Sequence, residues 1–141
     1  MATNKQLLAA LAAVPLFEGL SKRQLKQIAD LAEIASYMAG ARLVKEGDVG
    51  ESFFVILTGE AKVKVKGRTV NRAIPGDHFG EISLLDGGAR TASVVSETPL
   101  TVLMIERTAF QKLLKRDPAL SMHLLRSMAK LVRRVDRSLA G

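Results

Sequence analysis

Residues 79–94 have the sequence F-G-E-I-S-L-L-D-G-G-A-R-T-A-S-V, and strand-like runs precede and follow them. Gly80 allows the backbone to turn or to approach a ligand closely. Residues 81–85 favour one short helical turn, whose free N–H groups can face an anion. Residues 87–88, both glycine, then return the chain to Arg90. We expect Arg90 to enter a strand among small neighbours, which are Ala89, Thr91, Ala92 and Ser93.

The residue types in this segment suit a small anionic ligand. An arginine among small side chains, opposite a helix N-terminus, can bind one phosphate. Glu81 would repel that phosphate, but an ionised carboxylate accepts hydrogen bonds and suits the hydroxyl of a sugar. Arg90 and Glu81 together therefore fit a ligand with one phosphate and a free ribose hydroxyl. An ion pair between Arg90 and Glu81 that only closes the loop fits the same residues, so both interpretations stay open at this point.

Outward from this segment, the centre of the chain has the pattern of a β structure. Residues 34–107 contain seven or eight short strand-like runs that glycines separate. Residues 60–66 alternate strictly between apolar residues and Glu or Lys, which is typical of a half-buried antiparallel strand. Strands of this number and length predict a small antiparallel β-barrel or jelly roll.

Both ends of the chain have helical periodicity. Residues 1–33 predict N-terminal helices, one of them an amphipathic helix over residues 22–33. Residues 108–141 predict two C-terminal helices, and the last carries an apolar stripe for packing on the barrel or on a second copy. The expected capping or first residues are Thr3 or Asn4, Ser21, Thr108 and Pro118. The sequence thus predicts one α+β domain over residues 1–141.

Composition excludes several classes of protein. The 141 residues include no cysteine, which excludes disulfide frameworks, thiol catalysis and Cys-based metal sites. The two histidines, His78 and His123, lie on different predicted elements, so a histidine-rich metal centre is not expected. The longest apolar run, residues 7–17, contains Pro15 and is far shorter than the roughly 20 residues of a membrane-spanning helix. We expect a cytoplasmic protein without membrane insertion.

The net charge of +7 is concentrated at the C-terminal end. Residues 1–107 carry 13 Lys and Arg against 12 Asp and Glu, whereas residues 108–141 carry 8 against 2. A basic helical end can bind nucleic acid, an anionic membrane or an acidic partner, and it can also be a solvated face.

The 79–94 segment resembles the phosphate-binding cassette of cyclic nucleotide-binding domains, the module of cAMP- and cGMP-regulated kinases, channels and Crp/Fnr-type regulators. The match consists of the opening FGEISLL, the loop DGGA and the run RTASV, with no gap. Similar residues also occur in the flanking regions at Val14–Phe17, Glu46–Asp48, Phe53–Leu57 and Gly76–Asp77, so the resemblance extends over roughly residues 14–135. A segment of this length in its expected context is far more specific than a lone glycine motif.

The resemblance implies a role for each matching residue. Arg90 would bind the exocyclic oxygens of the cyclic phosphate, and Glu81 would accept a hydrogen bond from the ribose 2′-hydroxyl. Leu84 or Leu85 would be the apolar hinge contact that senses the occupied site. The full set of implied ligand contacts is Phe79, Gly80, Glu81, Ile82, Ser83, Leu84, Arg90, Thr91 and Ala92.

The sequence signals for the choice of nucleotide and for the residues that cover its base are less specific. Thr91 after the arginine is similar to the residue at that position in cGMP-selective domains, but bacterial cAMP receptors also carry Ser or Thr there. We expect cAMP as the preferred ligand and cGMP as the alternative. The last helix would supply the lid over the base, with Met128, Leu131 and Arg134 as candidates. Ala89 stands where many relatives have proline, and the turn at residues 74–77 is one residue shorter than usual. Arg72 before that turn is expected to point to solvent.

Three function classes compete. We expect a sensor with no catalytic activity, no metal and no cofactor, which acts on an unknown protein partner and which can form a homodimer through its last helix. The second class is a cupin-type enzyme, which would need a His and Glu metal cluster. The third is the sensor half of a DNA-binding transcription regulator. Because the sequence ends with the last helix and shows no helix-turn-helix, sequence-specific DNA binding is not expected.

Overall fold

Two four-stranded antiparallel sheets form the centre of the chain. The computed structural model describes residues 3–140, apart from the side chains of Glu81, Ile82 and residues 136–140. The strand orders are β1-β8-β3-β6 and β2-β7-β4-β5. The strands are β1 (Glu33–Tyr37), β2 (Arg42–Val44), β3 (Ser52–Thr58), β4 (Ala61–Val65), β5 (Arg68–Ala73), β6 (His78–Phe79), β7 (Ser93–Ser96) and β8 (Leu100–Glu106).

Helices precede and follow the sheets and interrupt them once. They are α1 (Asn4–Ala12), a 3-10 helix (Pro15–Phe17), α2 (Lys22–Ala29), α3 (Glu81–Asp86), α4 (Arg107–Arg116) and α5 (Pro118–Ala140). The α+β prediction, with eight short strands, N-terminal helices and two C-terminal helices, is therefore confirmed.

The chain divides into two compact units. The sheet unit is Leu31–Gln111, and the helical unit combines the described parts of Met1–Asp30 and Lys112–Gly141. In the sheet unit, one buried cluster draws on both sheets because alternate residues of each strand face inward. Its members are Val44, Phe54, Ile56, Ala61, Ala73, Val94, Leu100 and Val102.

Side chains near the helix starts match the predicted caps. Thr3 and Ser21 each accept from the backbone N–H three residues later, and each forms a capping box with the glutamine at that position. Pro118 is the first residue of α5, and the Asp117 carboxylate accepts from the Leu120 N–H at 3.1 Å.

Three predicted boundaries were wrong. The helix predicted over residues 22–33 ends at Ala29, because residues 33–37 form β1 and pair with β8. Thr108 is not a cap: α4 begins at Arg107, whose N–H donates to the Glu51 carbonyl oxygen at 2.8 Å and needs no side-chain acceptor. Arg90 lies before β7 and not within it, because its backbone pairs with the loop that precedes β3.

Candidate functional site

The 79–94 segment forms a short helix between two left-handed glycines. Gly80 caps the start of α3 with φ +92° and Gly87 caps its end with φ +65°. Few residues other than glycine adopt this backbone conformation without strain. Phe79 stacks on Phe54 at 5.0 Å between ring centroids, which fastens the start of the segment to β3. The predicted helical turn is thus present, as helix Glu81–Asp86.

Arg90 lies beside the start of this helix. Its Nη2 atom donates to the Ser52 carbonyl oxygen at 2.6 Å. A Cβ at position 80 would contact the Arg90 guanidinium and would lie 2.8 Å from the same Ser52 oxygen. The absence of a side chain at Gly80 therefore provides the space in which the guanidinium lies.

The electrostatic environment of Arg90 is that of a half-buried cation. Burial lowers the pKa of the Arg90 guanidinium, and the Glu51 carboxylate opposes that shift. Glu51 itself pairs with Arg107 at 3.2 Å. Among the described side chains, no carboxylate forms an ion pair with Arg90. The guanidinium has thus lost part of its hydration without an ion pair to any of the described carboxylates.

A loop before β3 holds the second half of the segment in place. The Arg90 N–H donates to the Asp48 carbonyl oxygen at 2.7 Å, and the Gly47 N–H donates to the Arg90 carbonyl oxygen at 2.9 Å. The Gly50 N–H donates to the Gly88 carbonyl oxygen at 2.9 Å. These backbone bonds join residues about 40 positions apart in the chain and fix the Cα position of Arg90.

The segment forms one wall of a cavity of about 640 Å³. This volume lies within the usual range for small-molecule sites. The cavity combines Arg90 with apolar side chains of three strands, β2, β4 and β7. Its lining residues are Val44, Val63, His78, Phe79, Gly80, Ser83, Asp86, Gly88, Ala89, Arg90, Thr91, Ala92 and Val94.

Six of the nine predicted ligand contacts line this cavity. They are Phe79, Gly80, Ser83, Arg90, Thr91 and Ala92. Leu84 does not, since its side chain is completely buried in the core. The side chains of Glu81 and Ile82 lie outside the described residues, so the predicted hydroxyl contact of Glu81 stays a prediction.

Sequence reasoning missed part of the apolar lining of the cavity. No motif marks Val44 in β2 or Val63 in β4 as cavity residues, whereas Val94 in β7 is the last residue of the 79–94 segment. A signal existed for Val63, because the alternation of residues 60–66 places it on the apolar face of its strand. Arg72, which was expected to point to solvent, is exposed and pairs with Glu97.

The predicted lid residues belong to the helical unit, whereas the cavity belongs to the sheet unit. Met128 and Leu131 are half-buried, and the exposed Arg134 lies 3.5 Å from the Glu18 carboxylate. Their role as a cover over the base stays a prediction. Helical spacing in the sequence predicts an apolar stripe on α5 at Leu124, Met128, Leu131, Val135 and Leu139. The stripe is uneven, because Leu124 is buried, Val135 is exposed, and the Leu139 side chain lies outside the described residues.

The cupin-type alternative finds no support in the described residues. His78 lies in β6 and His123 in α5, where the His123 Nε2 is 3.2 Å from the Glu18 carbonyl oxygen. Within the described side chains, no group of three or more His, Asp or Glu residues could hold a metal ion. No helix in the same part of the chain is long and apolar enough to span a bilayer.

Comparison with known proteins gives consistent results. The profile of the cyclic nucleotide-binding domain family matches residues 34–117, more than half of the chain. The chain is 40% identical over 105 residues to a cAMP-dependent protein kinase regulatory subunit of Eremothecium gossypii, matching 74% of this chain and 23% of that protein. It is 35% identical over 121 residues to the cGMP-dependent protein kinase egl-4 of Caenorhabditis elegans, matching 81% of this chain and 16% of that protein. The chain thus spans no more than about a quarter of these relatives.

A solved structure is similar over nearly the whole chain. It is the N-terminal domain of a transcriptional regulator from Streptomyces coelicolor, with a TM-score of 0.83 and 27% sequence identity. The similarity covers 92% of this chain and 94% of that one.

Proposed function

The chain belongs to the cyclic nucleotide-binding domain family, and from this we propose that it is a sensor that binds cAMP in preference to cGMP and regulates a partner protein. One observation carries the proposal: Arg90 is a half-buried cation on the wall of a 640 Å³ cavity, without an ion pair to any described carboxylate. A cyclic phosphate carries a single negative charge, which the guanidinium can neutralise with two hydrogen bonds.

The rest of the cavity suits the rest of a nucleotide. Val44, Val63 and Val94 provide an apolar wall for the sugar and the base. Thr91 also lines the cavity, and its exposed position leaves the hydroxyl able to contact phosphate or base. Glu81 is the proposed acceptor for the ribose 2′-hydroxyl, as the family resemblance implies.

The preference for cAMP is supported by the relatives. Regulatory subunits named for cAMP match at 35–40% identity, and the kinase named for cGMP matches at 35%. We further propose that binding is the whole of the chemistry, with no catalytic residue, metal or cofactor, and that the protein is cytoplasmic.

Calorimetric titration with cAMP and cGMP tests the proposal. We expect micromolar or tighter binding of cAMP, weaker binding of cGMP, and loss of both in Arg90→Ala. Arg72→Ala is the matched control, because this arginine lies in the same unit but does not line the cavity. It should bind cAMP like the wild type. If neither nucleotide releases heat, or if both variants behave alike, the proposed role of Arg90 is wrong.

A second candidate is the sensor part of a transcription regulator. The similarity to the N-terminal domain of the Streptomyces coelicolor regulator favours it. On this alternative the partner would be a DNA-binding segment, and the chain alone should show no sequence preference on DNA. A gel shift at moderate salt that showed such a preference would place DNA recognition in the chain itself.

A further inference from the structure

Helix α5 exposes an apolar stripe to solvent. Met122, Leu125 and Val132 are 51%, 60% and 65% exposed, and Ala129 between them is also exposed. The steps of three, four and three residues place the four side chains on one face of an α-helix. Leu120, Leu124 and Ser127 on the other side of the helix are buried. The stripe is therefore not the face by which α5 packs in its own fold.

A ridge of cations runs beside the stripe. Arg126, Lys130 and Arg133 are exposed and are spaced by four and three residues. Arg126 is four residues after Met122, and Arg133 is four after Ala129, so the two rows are neighbours on the surface. Among the described residues, no carboxylate forms an ion pair with these three cations, whereas Arg134 pairs with Glu18. Residues 118–135 contain no Asp or Glu at all.

We propose that the stripe and the cation ridge together form a docking surface for an amphipathic helix of a partner protein, with Glu or Asp beside its apolar seam. With Met122 and Ala129 at heptad position a, and Leu125 and Val132 at d, Arg126 and Arg133 occupy position e. Charges at e and g decide which helices pair. A partner with acidic residues at the facing positions would match both rows.

A second copy of this chain fits the surface less well. In a parallel pair, the e positions of one helix face the g positions of the other, which here are Ser121, Met128 and Val135. In an antiparallel pair the basic e positions would face each other and repel. Neither arrangement supplies an anion to the ridge, and charge complementarity therefore favours an acidic partner.

The docking surface is short. From Met122 to Val132 the helix rises by about 15 Å, or roughly three turns. A contact of this length buries less than a standard protein–protein interface, so it predicts a transient complex in the micromolar range.

The test uses the full chain and a fluorescent three-heptad peptide with Leu at a and d and Glu at e and g. A second peptide has Lys in place of Glu. We expect the acidic peptide to bind in a fluorescence anisotropy titration and the basic peptide to bind at least tenfold more weakly. The double variant Leu125→Gln with Val132→Gln should weaken binding of the acidic peptide about tenfold or more. Arg126→Glu should weaken it several-fold.

Lys22→Glu is the matched control, since it makes the same charge change at an exposed lysine at the start of α2. It should bind the acidic peptide like the wild type, and urea unfolding should show that all variants remain folded. Equal binding of the two peptides, or binding of neither, would overturn the proposal.

Two other results would also overturn it. One is a homodimer in sedimentation velocity that the Leu125→Gln, Val132→Gln variant abolishes. The other is binding to phosphatidylserine vesicles with the same dependence on the variants. The proposal supplies the partner surface of the proposed sensor, but its test contains no nucleotide. A failure of docking therefore leaves the cAMP titration unaffected, and the reverse also holds.

Discussion

Replacing Gly80 with alanine has two effects: it strains a left-handed backbone, and it fills the space in which the Arg90 guanidinium lies. Comparison with a second left-handed glycine that has no close neighbours separates the two effects. Gly80 has φ +92°, and a Cβ there would contact the Arg90 guanidinium and lie 2.8 Å from the Ser52 carbonyl oxygen. Gly76 is the matched control, because it has φ +94° and a Cβ there would meet nothing within 4 Å. Both lie in the sheet unit, and Gly76 does not line the cavity.

The two variants should differ by the cost of relieving the contacts of the added Cβ with the Arg90 guanidinium and with the Ser52 carbonyl oxygen. Left-handed strain costs each variant about 1–2 kcal/mol of unfolding free energy. Gly80→Ala also displaces the guanidinium from the Ser52 carbonyl, and a hydrogen bond to a charged group contributes about 1.5–3 kcal/mol. We therefore expect Gly76→Ala to lose about 1–2 kcal/mol and Gly80→Ala about 2.5–5 kcal/mol in urea unfolding.

The same pair of variants should separate in ligand binding. Displacing the guanidinium changes the position of the one arginine, among the described side chains, that lines the cavity, so Gly80→Ala should bind cAMP at least tenfold more weakly, or about 1.4 kcal/mol. Gly76→Ala should keep the wild-type affinity in the same calorimetric titration. Equal losses of stability and equal affinities in the two variants would refute the claim that Gly80 provides the space for Arg90.

Two further predictions concern features away from the cavity. Ser21→Ala removes the acceptor for the Gln24 N–H and should lower the unfolding free energy by about 1 kcal/mol in urea, with most of it restored in Ser21→Asp; an unchanged midpoint would mean that the cap does not stabilise α2. The hydrogen bond from Arg72 and its charge hold the pKa of the Glu97 carboxyl below its ordinary value of about 4.3. The pair therefore stabilises the fold at pH values above that ordinary pKa. This stabilisation disappears as the pH falls through the lowered pKa of the folded state. Arg72→Gln should therefore be less stable than the wild type at neutral pH by a small, salt-sensitive amount, and equal to it in strong acid; the same difference at both pH values would exclude the linkage.

The sequence predicted those parts of the site whose signals are local. Gly80 and Gly87 bracket a helix that the pattern of residues 81–85 indicated, and both are in the left-handed conformation. Capping at Thr3 and Ser21 likewise depends on residues only three positions apart. The number of strands followed from alternation and glycine spacing, which are also local properties.

The parts that the sequence did not predict depend on pairing between distant residues. The periodicity of Leu31 and Ala32 suggested helix, but the next residues pair with β8, about 70 positions later. Arg90 was expected in a strand, but its N–H and C=O pair with Asp48 and Gly47 instead. The valines of the cavity wall come from β2, β4 and β7, and only the folded register brings them together. Local propensity carries no information on such contacts.

The arrangement around Arg90 also links ligand binding to the stability of the fold. The backbone of Arg90 is held at both its N–H and its C=O, and its side chain is held by the Ser52 carbonyl, so the guanidinium is ordered before a ligand arrives. Ordering a long side chain costs free energy on binding, and this cost is smaller here because the Arg90 side chain is already ordered in the folded protein. Burial disfavours the charged form of Arg90 and lowers its pKa, and no described carboxylate forms an ion pair with it. An anion in the cavity removes this penalty only in the folded protein. Saturating cAMP should therefore raise the midpoint of thermal unfolding in the wild type and leave that of Arg90→Ala unchanged.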